Sequence, residues 1–257
     1  ATQVFQCRGC GADFILPPQV LSAVCAYCGS DHVVVLQGSR ELAAPDAIIP
    51  MAFDREQATW RLVHWVEANE LQPEEKVIPP LGLYLPVWSF VAGGEIPWKG
   101  VQYRNKQRVP VSGRESVHYH ELAVPASSKL HGLEAKVLPG YDLLAPPAYD
   151  PRYLAGWPAE VYDVSMSDAA LEARRMAVQR IRQEIVFSVG DVYDMQYSPS
   201  AVAIESFQLV LVPLWMTMVK LEGRSQRVLI NGQNGVVHGE TPSRGLLHWF
   251  GDLIGGG

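Results

Sequence analysis

The sequence predicts an α+β protein in which an N-terminal four-cysteine module precedes two related antiparallel-sheet-plus-helix halves. Three features predict this fold class: two cysteine pairs near the N-terminus, two amphipathic stretches of helical periodicity, and short β-rich runs between turn residues. The 257 residues include 19 prolines and 22 glycines, which favour short strands and turns over long helices. The predicted boundaries are 1–38 for the module, 39–165 and 166–242 for the halves, and 243–257 for an apolar tail.

The four cysteines have the spacing of a metal site. Cys7 with Cys10 and Cys25 with Cys28 form two C-x2-C pairs separated by fourteen residues, close to the four-cysteine zinc pattern. Zinc binds four thiolates as a tetrahedron, and such a closed shell is structural because no position remains for substrate. The glycine that follows each pair suits a sharp turn of the chain. The sequence therefore predicts a structural Zn2+ ligated by all four cysteines, in a zinc ribbon over residues 4–36.

Two other interpretations of the cysteines stay open. Paired disulfides would require an oxidising compartment, and the first residues show no signal-peptide pattern, so we expect a cytoplasmic location. Iron of the rubredoxin type uses a similar pair of knuckles, and spacing alone does not separate it from zinc.

The charge of the module favours a protein partner over nucleic acid. A phosphate-binding surface needs clustered lysine and arginine. Residues 1–36 contain Arg8 and His32 as basic residues, against Asp13 and Asp31. The whole chain has a formal net charge of -6. We therefore expect a module that docks on protein.

Two helices are predicted, one at the start of each half. The first begins with a capping box of Asp54 and Gln57 and ends near Glu70. The second has Ser167 as its N-cap and ends near Val186. The apolar periodicity of the first helix comprises Ala58, Leu62, Trp65, Val66 and Asn69. The apolar stripe of the second comprises Leu171, Val178, Ile181 and Ile185.

A short internal repeat predicts that the halves are related. Leu85-Pro86-Val87-Trp88 and Val212-Pro213-Leu214-Trp215 share an aliphatic-Pro-aliphatic-Trp pattern, and each follows an amphipathic helix and precedes hairpin-like strands. Trp88 and Trp215 are then equivalent core residues. A cleft between such halves is where a ligand or peptide would bind.

His118 and His120 form a pair that we interpret as part of a solvated strand face. Alternate residues of a strand point to one side, as metal-binding histidine pairs do. A third ligand would have to come from His131, Glu95 or Glu115, and nothing in the sequence places one of them nearby. The sequence therefore predicts no second metal site.

The C-terminal tail is apolar but shorter than a membrane span. It is a candidate for packing on its own domain, docking on a partner or lying at a membrane surface, and few basic residues favour the first two. The candidate partner-binding residues are Leu246, Leu247, Trp249 and Phe250.

The chain resembles a poorly characterised bacterial family of zinc-ribbon proteins. The matching features are the four cysteines, Leu85-Pro86-Val87-Trp88, the hairpin Asn231-Gly232-Gln233-Asn234-Gly235 and the segment Gly239-Glu240-Thr241-Pro242-Ser243. Relatives often carry a membrane helix after the Pro-Ser segment, so the resemblance implies that this end lies near a membrane or a partner. Some are labelled helicase-like, but this chain has no Gly-x4-Gly-Lys-Ser/Thr loop.

These features predict a non-enzymatic zinc-binding scaffold or adaptor that acts through protein–protein contacts. It would be cytoplasmic, as a subunit of a larger or membrane-proximal assembly. A nucleic-acid-binding zinc ribbon is the alternative. An enzyme is not expected, because the sequence has no Ser/His/Asp, P-loop, Rossmann or His-Glu-x-x-His signature.

Overall fold

A computed structural model describes residues 4–16, 24–25, 27–28, 30–31, 33–35, 44–128, 132, 136–154 and 156–239. The strands are β1 (Phe5–Cys7), β2 (Asp13–Ile15), β3 (Val33–Val35), β4 (Ala47–Ile48), β5 (Leu81–Arg104), β6 (Gln107–Pro125), β7 (Ala159–Glu160), β8 (Tyr193–Tyr197), β9 (Ala203–Leu221), β10 (Arg224–Asn231) and β11 (Val237–Gly239). The helices are α1 (Arg55–Ala68) and α2 (Met166–Val189). This confirms a mixed α+β fold, with all eleven strands in one sheet.

Two long hairpins form the centre of the sheet. Strands β5 and β6 pair antiparallel around a turn at Asn105 and Lys106, whose φ angles are 50° and 63°, as a two-residue hairpin loop requires. Strands β9 and β10 form the second hairpin, and β9 pairs antiparallel with β5. The short β-rich runs predicted from the sequence are joined here into two long strands, because hydrogen bonding continues through the glycines and prolines of β5 and β6.

Pro86 lies inside β5, although its missing N–H favours an edge strand, a bulge or a strand start. On the side of β5 away from β9, the short strand β7 pairs at Tyr84 and β6 begins to pair at Val87. Tyr84 donates its N–H to Pro158 on that side, and alternate residues of a strand direct their N–H groups to the same side. Pro86 therefore occupies the gap between two partner strands, where no donor is needed.

The helices differ from the prediction at particular residues. The capping box of Asp54 and Gln57 is confirmed. Helix α2 begins earlier than predicted, with Ser165 as its N-cap in place of Ser167. Leu171 was wrongly placed in the buried stripe, since it is 63% exposed. The buried face of α2 is largely alanine and comprises Ala169, Ala170, Ala173, Ala177, Val178, Ile181 and Ile185.

Each helix packs on the hairpin that does not follow it in sequence. Helix α1 precedes β5, but its Ala58 and Leu62 belong to the cluster of Trp215 on the β9–β10 hairpin. Helix α2 precedes β9, but its alanine face lies in the cluster of Trp88 on the β5–β6 hairpin. Both tryptophans are buried, as predicted, at 8% and 0% exposure. The two hairpins are therefore interlocked through exchanged helices.

The N-terminal cysteine module is part of the same sheet. Strand β1 pairs with β2 and β3, and β2 pairs antiparallel with β7. The N–H of Val161, just after β7, donates to the carbonyl of Asp13. Within the described residues, neither helix is long and apolar enough to cross a bilayer.

Candidate metal centre

Backbone hydrogen bonds fold each cysteine pair into a tight turn. The Cys7 N–H donates to Ala12, and the Gly11 N–H donates back to the Cys7 carbonyl at 2.8 Å. Gly11 has φ 74°, where a Cβ would be strained. The Cys25 N–H donates to the Ser30 carbonyl in the same manner. These turns bring the four thiols, which are far apart in sequence, to one point.

The four sulfur atoms have the separation that one tetrahedral metal ion requires. All lie within 4.8 Å of one another, with Cys7 Sγ 3.5 Å from Cys28 Sγ and Cys10 Sγ 3.6 Å from Cys25 Sγ. A zinc–sulfur distance of about 2.3 Å gives tetrahedral sulfur–sulfur edges of about 3.8 Å. The predicted ligand set is therefore assembled at one potential metal site, with Cys7 and Cys25 buried and Cys10 and Cys28 exposed.

The pKa values of the Cys7, Cys10 and Cys25 thiols are shifted in different directions. Burial opposes ionisation of Cys7, but hydrogen bonds from the Cys10 and Gly9 backbone and from neighbouring thiols outweigh it and lower the Cys7 pKa to about 7. Burial raises the pKa of Cys10 and of Cys25. Four thiolates in contact repel one another, and a bound cation removes that cost because metal ligation requires the deprotonated sulfur. The set as a whole thus favours a soft cation.

Tyr27 connects the second cysteine pair to the rest of the sheet. Its ring is buried, and its hydroxyl donates to Oε2 of Glu160 on β7. The Ser127 hydroxyl donates to the other carboxyl oxygen at 2.6 Å. The guanidinium of Arg227, on β10, lies 5.7 Å from the centre of the Tyr27 ring. The turn that carries Cys25 and Cys28 is therefore fixed to residues from distant parts of the chain.

Glu160 is a buried acid at this junction. Its exposure is 3%. Burial, followed by the nearby carboxylates of Asp163 and Asp13, raises its pKa to about 8, while Arg227 acts in the opposite direction. Tyr27 and Glu160 are not among the site residues predicted from the sequence. Two signals could have identified them: an aromatic residue between two cysteine ligands, and a glutamate in an otherwise apolar strand.

The remaining predicted site residues divide into those that the structure describes and those that it does not. Leu246, Leu247, Trp249 and Phe250 lie outside the described residues, as does Gly29. His118 and His120 are exposed on β6, as expected of a solvated face. Arg8 is exposed beside the cysteines.

The chain is 24% identical over 235 residues to a protein of Bacillus subtilis (strain 168) that is described as "Uncharacterized protein YdjG". The match covers 83% of this chain and 69% of that protein. No family profile matches the chain, and no solved structure does. The similarity is that of a distant homologue.

Proposed function

We propose that this chain is a non-enzymatic, zinc-stabilised adaptor that acts through protein contacts, with residues 1–38 as a zinc ribbon. The observation that carries the proposal is the set of four thiols at one point. With four cysteine ligands, tetrahedral Zn2+ has no open position for water or substrate, so its contribution is to folding. Four thiolates suit zinc, although iron binds the same set.

We also infer that the two halves are related by duplication. In support, Ile48 on β4 precedes the N-cap Asp54 by six residues, and Ala159 on β7 precedes the N-cap Ser165 by six. Each short strand runs parallel to a long central strand, β4 beside β9 and β7 beside β5. The matching residues Leu85 and Val212 of the two Pro-Trp segments pair directly with each other. These contacts are those of two units related by a local two-fold axis.

The outer face of α1 is the described surface that best suits a protein partner. Trp60 is 64% exposed and stacks on the imidazole of His64 with ring centres 5.5 Å apart. Val63, nearby, is 40% exposed. An exposed tryptophan with a preformed stacking partner is a rigid apolar anchor of the kind that dominates interface energies. The apolar tail, beginning near residue 243, remains a second predicted contact, in an assembly that is cytoplasmic or close to a membrane.

The experiment combines metal analysis with affinity capture from native extract. We expect about one equivalent of zinc per purified chain. We also expect a stoichiometric protein partner that stays bound after nuclease treatment. Cys25→Ser should abolish the bound zinc, and unchanged zinc content would exclude the four-cysteine assignment.

Trp60→Ser tests the contact surface, with Leu171→Ser as a matched control. Leu171 is similarly exposed, at 63%, but lies on α2. We expect the first variant to lose the partner and the control to retain it. Recovery of nucleic acid in place of a protein would support the alternative of a nucleic-acid-binding ribbon. Recovery of neither would contradict the adaptor function.

A further inference from the structure

A second group of potential metal ligands lies on the sheet and is formed by residues far along the chain from the cysteines. His118 is on β6 and Glu205 is on β9, and both strands flank β5. Gly93 of β5 pairs with His118 on one side and with Ala203 on the other. The two side chains reach each other across β5, so that His118 Nδ1 is 3.4 Å from a Glu205 carboxyl oxygen.

The missing side chain of Gly93 makes this contact possible. A Cβ at residue 93 would lie 2.2 Å from Glu205 Oε1 and 3.1 Å from His118 Nδ1. The first separation is well inside van der Waals contact, so with any other residue at this position the end of the Glu205 side chain would have to shift. The sheet therefore has a gap in its side-chain layer that is filled by a histidine and an acid.

His120 completes the group. Its ring lies edge-to-face against that of His118, with centres 4.3 Å apart. The β-bulge between β5 and β6 falls next to it, where Glu121 takes a φ of 67° and the pairing shifts between Phe90 and Ala92. Bulges re-aim side chains and are common beside functional sites. This bulge shifts the alternation of side chains along β6, so that Leu122 is buried and Glu121 is exposed.

The donor set suits a borderline divalent transition ion. Two imidazoles and one carboxylate are the ligands of three-coordinate protein sites that leave a position open. The ligand atoms of the four cysteines already lie within 4.8 Å of one another. The side chains of His118, His120 and Glu205 would have to rotate before all three could bind one ion. His118 and Glu205 have side-chain exposures of 51% and 45%, so rotation is sterically free.

A cleft of about 290 Å³ adjoins the group. It is lined by His120 together with Ser89, Ser206, Gln208 and Phe207, and one wall is formed by Leu143. An ion held by the histidines would lie at the mouth of this cleft. Its open coordination position would therefore be accessible to water or to a small anionic ligand.

We propose that His118, His120 and Glu205 form a second metal site, distinct from the four-cysteine centre, which binds a zinc-class divalent ion beside this cleft. The sequence alone predicts a solvated face for the two histidines, because it places none of His131, Glu95 and Glu115 near them as a third ligand. The carboxylate comes instead from Glu205, which lies far from the histidines in sequence. The site does not depend on the adaptor function.

The test is zinc titration of the tag-free full chain by calorimetry, starting from protein with its cysteine centre loaded. We expect a second binding event that brings zinc to about two equivalents per chain. His118→Ala and Glu205→Gln should each weaken that event by at least about tenfold, the lower end of the effect of even an outer-shell partner. Gly93→Ala, which removes no ligand, should weaken it as well, with circular dichroism confirming that it folds.

Glu67→Gln is the matched control for Glu205→Gln, because Glu67 is an exposed glutamate on α1 and its replacement should leave binding of the second equivalent unchanged. X-ray absorption at the zinc edge should add nitrogen and oxygen neighbours to the sulfur shell when the second ion binds. Cys25→Ser should remove the sulfur neighbours from the absorption spectrum but retain zinc binding at the histidine site. The two metal sites are therefore tested independently of each other. No zinc binding beyond the first equivalent in the wild type, or binding of the second equivalent that survives in both His118→Ala and Glu205→Gln, would show an ordinary surface ion pair and overturn the proposal.

Discussion

Glu160 is a buried acid whose pKa lies well above its ordinary value. It is a carboxyl group at 3% exposure that accepts hydrogen bonds from Tyr27 and Ser127. Removing an ionised carboxylate from water is costly, and the neighbouring Asp163 and Asp13 add repulsion. The residue nevertheless links the cysteine module to β7. Its protonation therefore affects how firmly the two parts are held together.

The first prediction concerns the pH dependence of stability. The Glu160 pKa rises from an ordinary 4.5 to about 8 in the folded chain, so the folded state binds this proton more tightly than the unfolded state does. The resulting stabilisation is present below the unfolded pKa and is lost as pH rises through the folded pKa. Between about pH 5 and about pH 8, the free energy of unfolding of the wild type should fall relative to Glu160→Gln by on the order of 1 kcal/mol or more.

Urea unfolding in saturating zinc measures this difference. Comparing the variant with the wild type at each pH cancels the pH dependence of zinc binding itself, which both share. Glu67→Gln, an exposed change on α1, should show no relative trend. Parallel pH profiles for the wild type and Glu160→Gln would contradict the raised pKa.

At the scale of the element, α2 shows how a helix is fixed by small residues. Ala173 and Ala177 are fully buried against the β5–β6 hairpin. A face of alanines allows close approach of helix and sheet, leaving little room for a larger side chain. Leu171, which was predicted to lie in the buried stripe, points outward instead.

The second prediction follows from this packing. Ala177→Leu should destabilise the chain by about 1–3 kcal/mol, because extra methylenes in a packed interface force shifts of backbone or rotamer. Leu171→Ala should change stability by less than about 0.5 kcal/mol, as is usual for an exposed site. Thermal unfolding of both variants measures the difference. A larger loss for Leu171→Ala than for Ala177→Leu would mean that the buried face is assigned incorrectly.

The sequence predicts local features well and pairing poorly. The capping box at Asp54 and the cysteine spacing depend on residues close in the chain, and both were identified. The N-cap of α2 was placed at Ser167, because Ser165 and Ser167 are both good cap residues, but the Asp168 N–H donates to Ser165 Oγ. The Tyr27–Glu160 bond joins residues 133 positions apart. Nothing in the local pattern of either residue specifies the other.

At the scale of the molecule, each helix packs on a hairpin that lies across the predicted boundary between the halves. A sequence-based boundary near residue 165 separates α2 from the hairpin on which it packs. Helix α1 is likewise separated from the β9–β10 hairpin. Residues Ile48, Tyr84, Ala159 and Leu211 form one buried cluster where β4 and β7 meet the central strands. Each predicted half therefore contributes its helix to the core cluster on the other half's hairpin.

The third prediction is that the two halves unfold together. Leu62 on α1 and Ile181 on α2 are both buried, at 0% and 1% exposure, and each should cost about 2–5 kcal/mol when replaced by alanine. Because the helices are exchanged, each variant should lower hydrogen-exchange protection in both hairpins by a similar free energy. Two independent halves would instead show loss of protection confined to one hairpin in each variant. Exposed Glu56→Ala on α1 serves as the control and should leave protection in both hairpins close to that of the wild type. A uniform loss from both buried substitutions would establish that the halves, whatever their ancestry, fold as one cooperative unit.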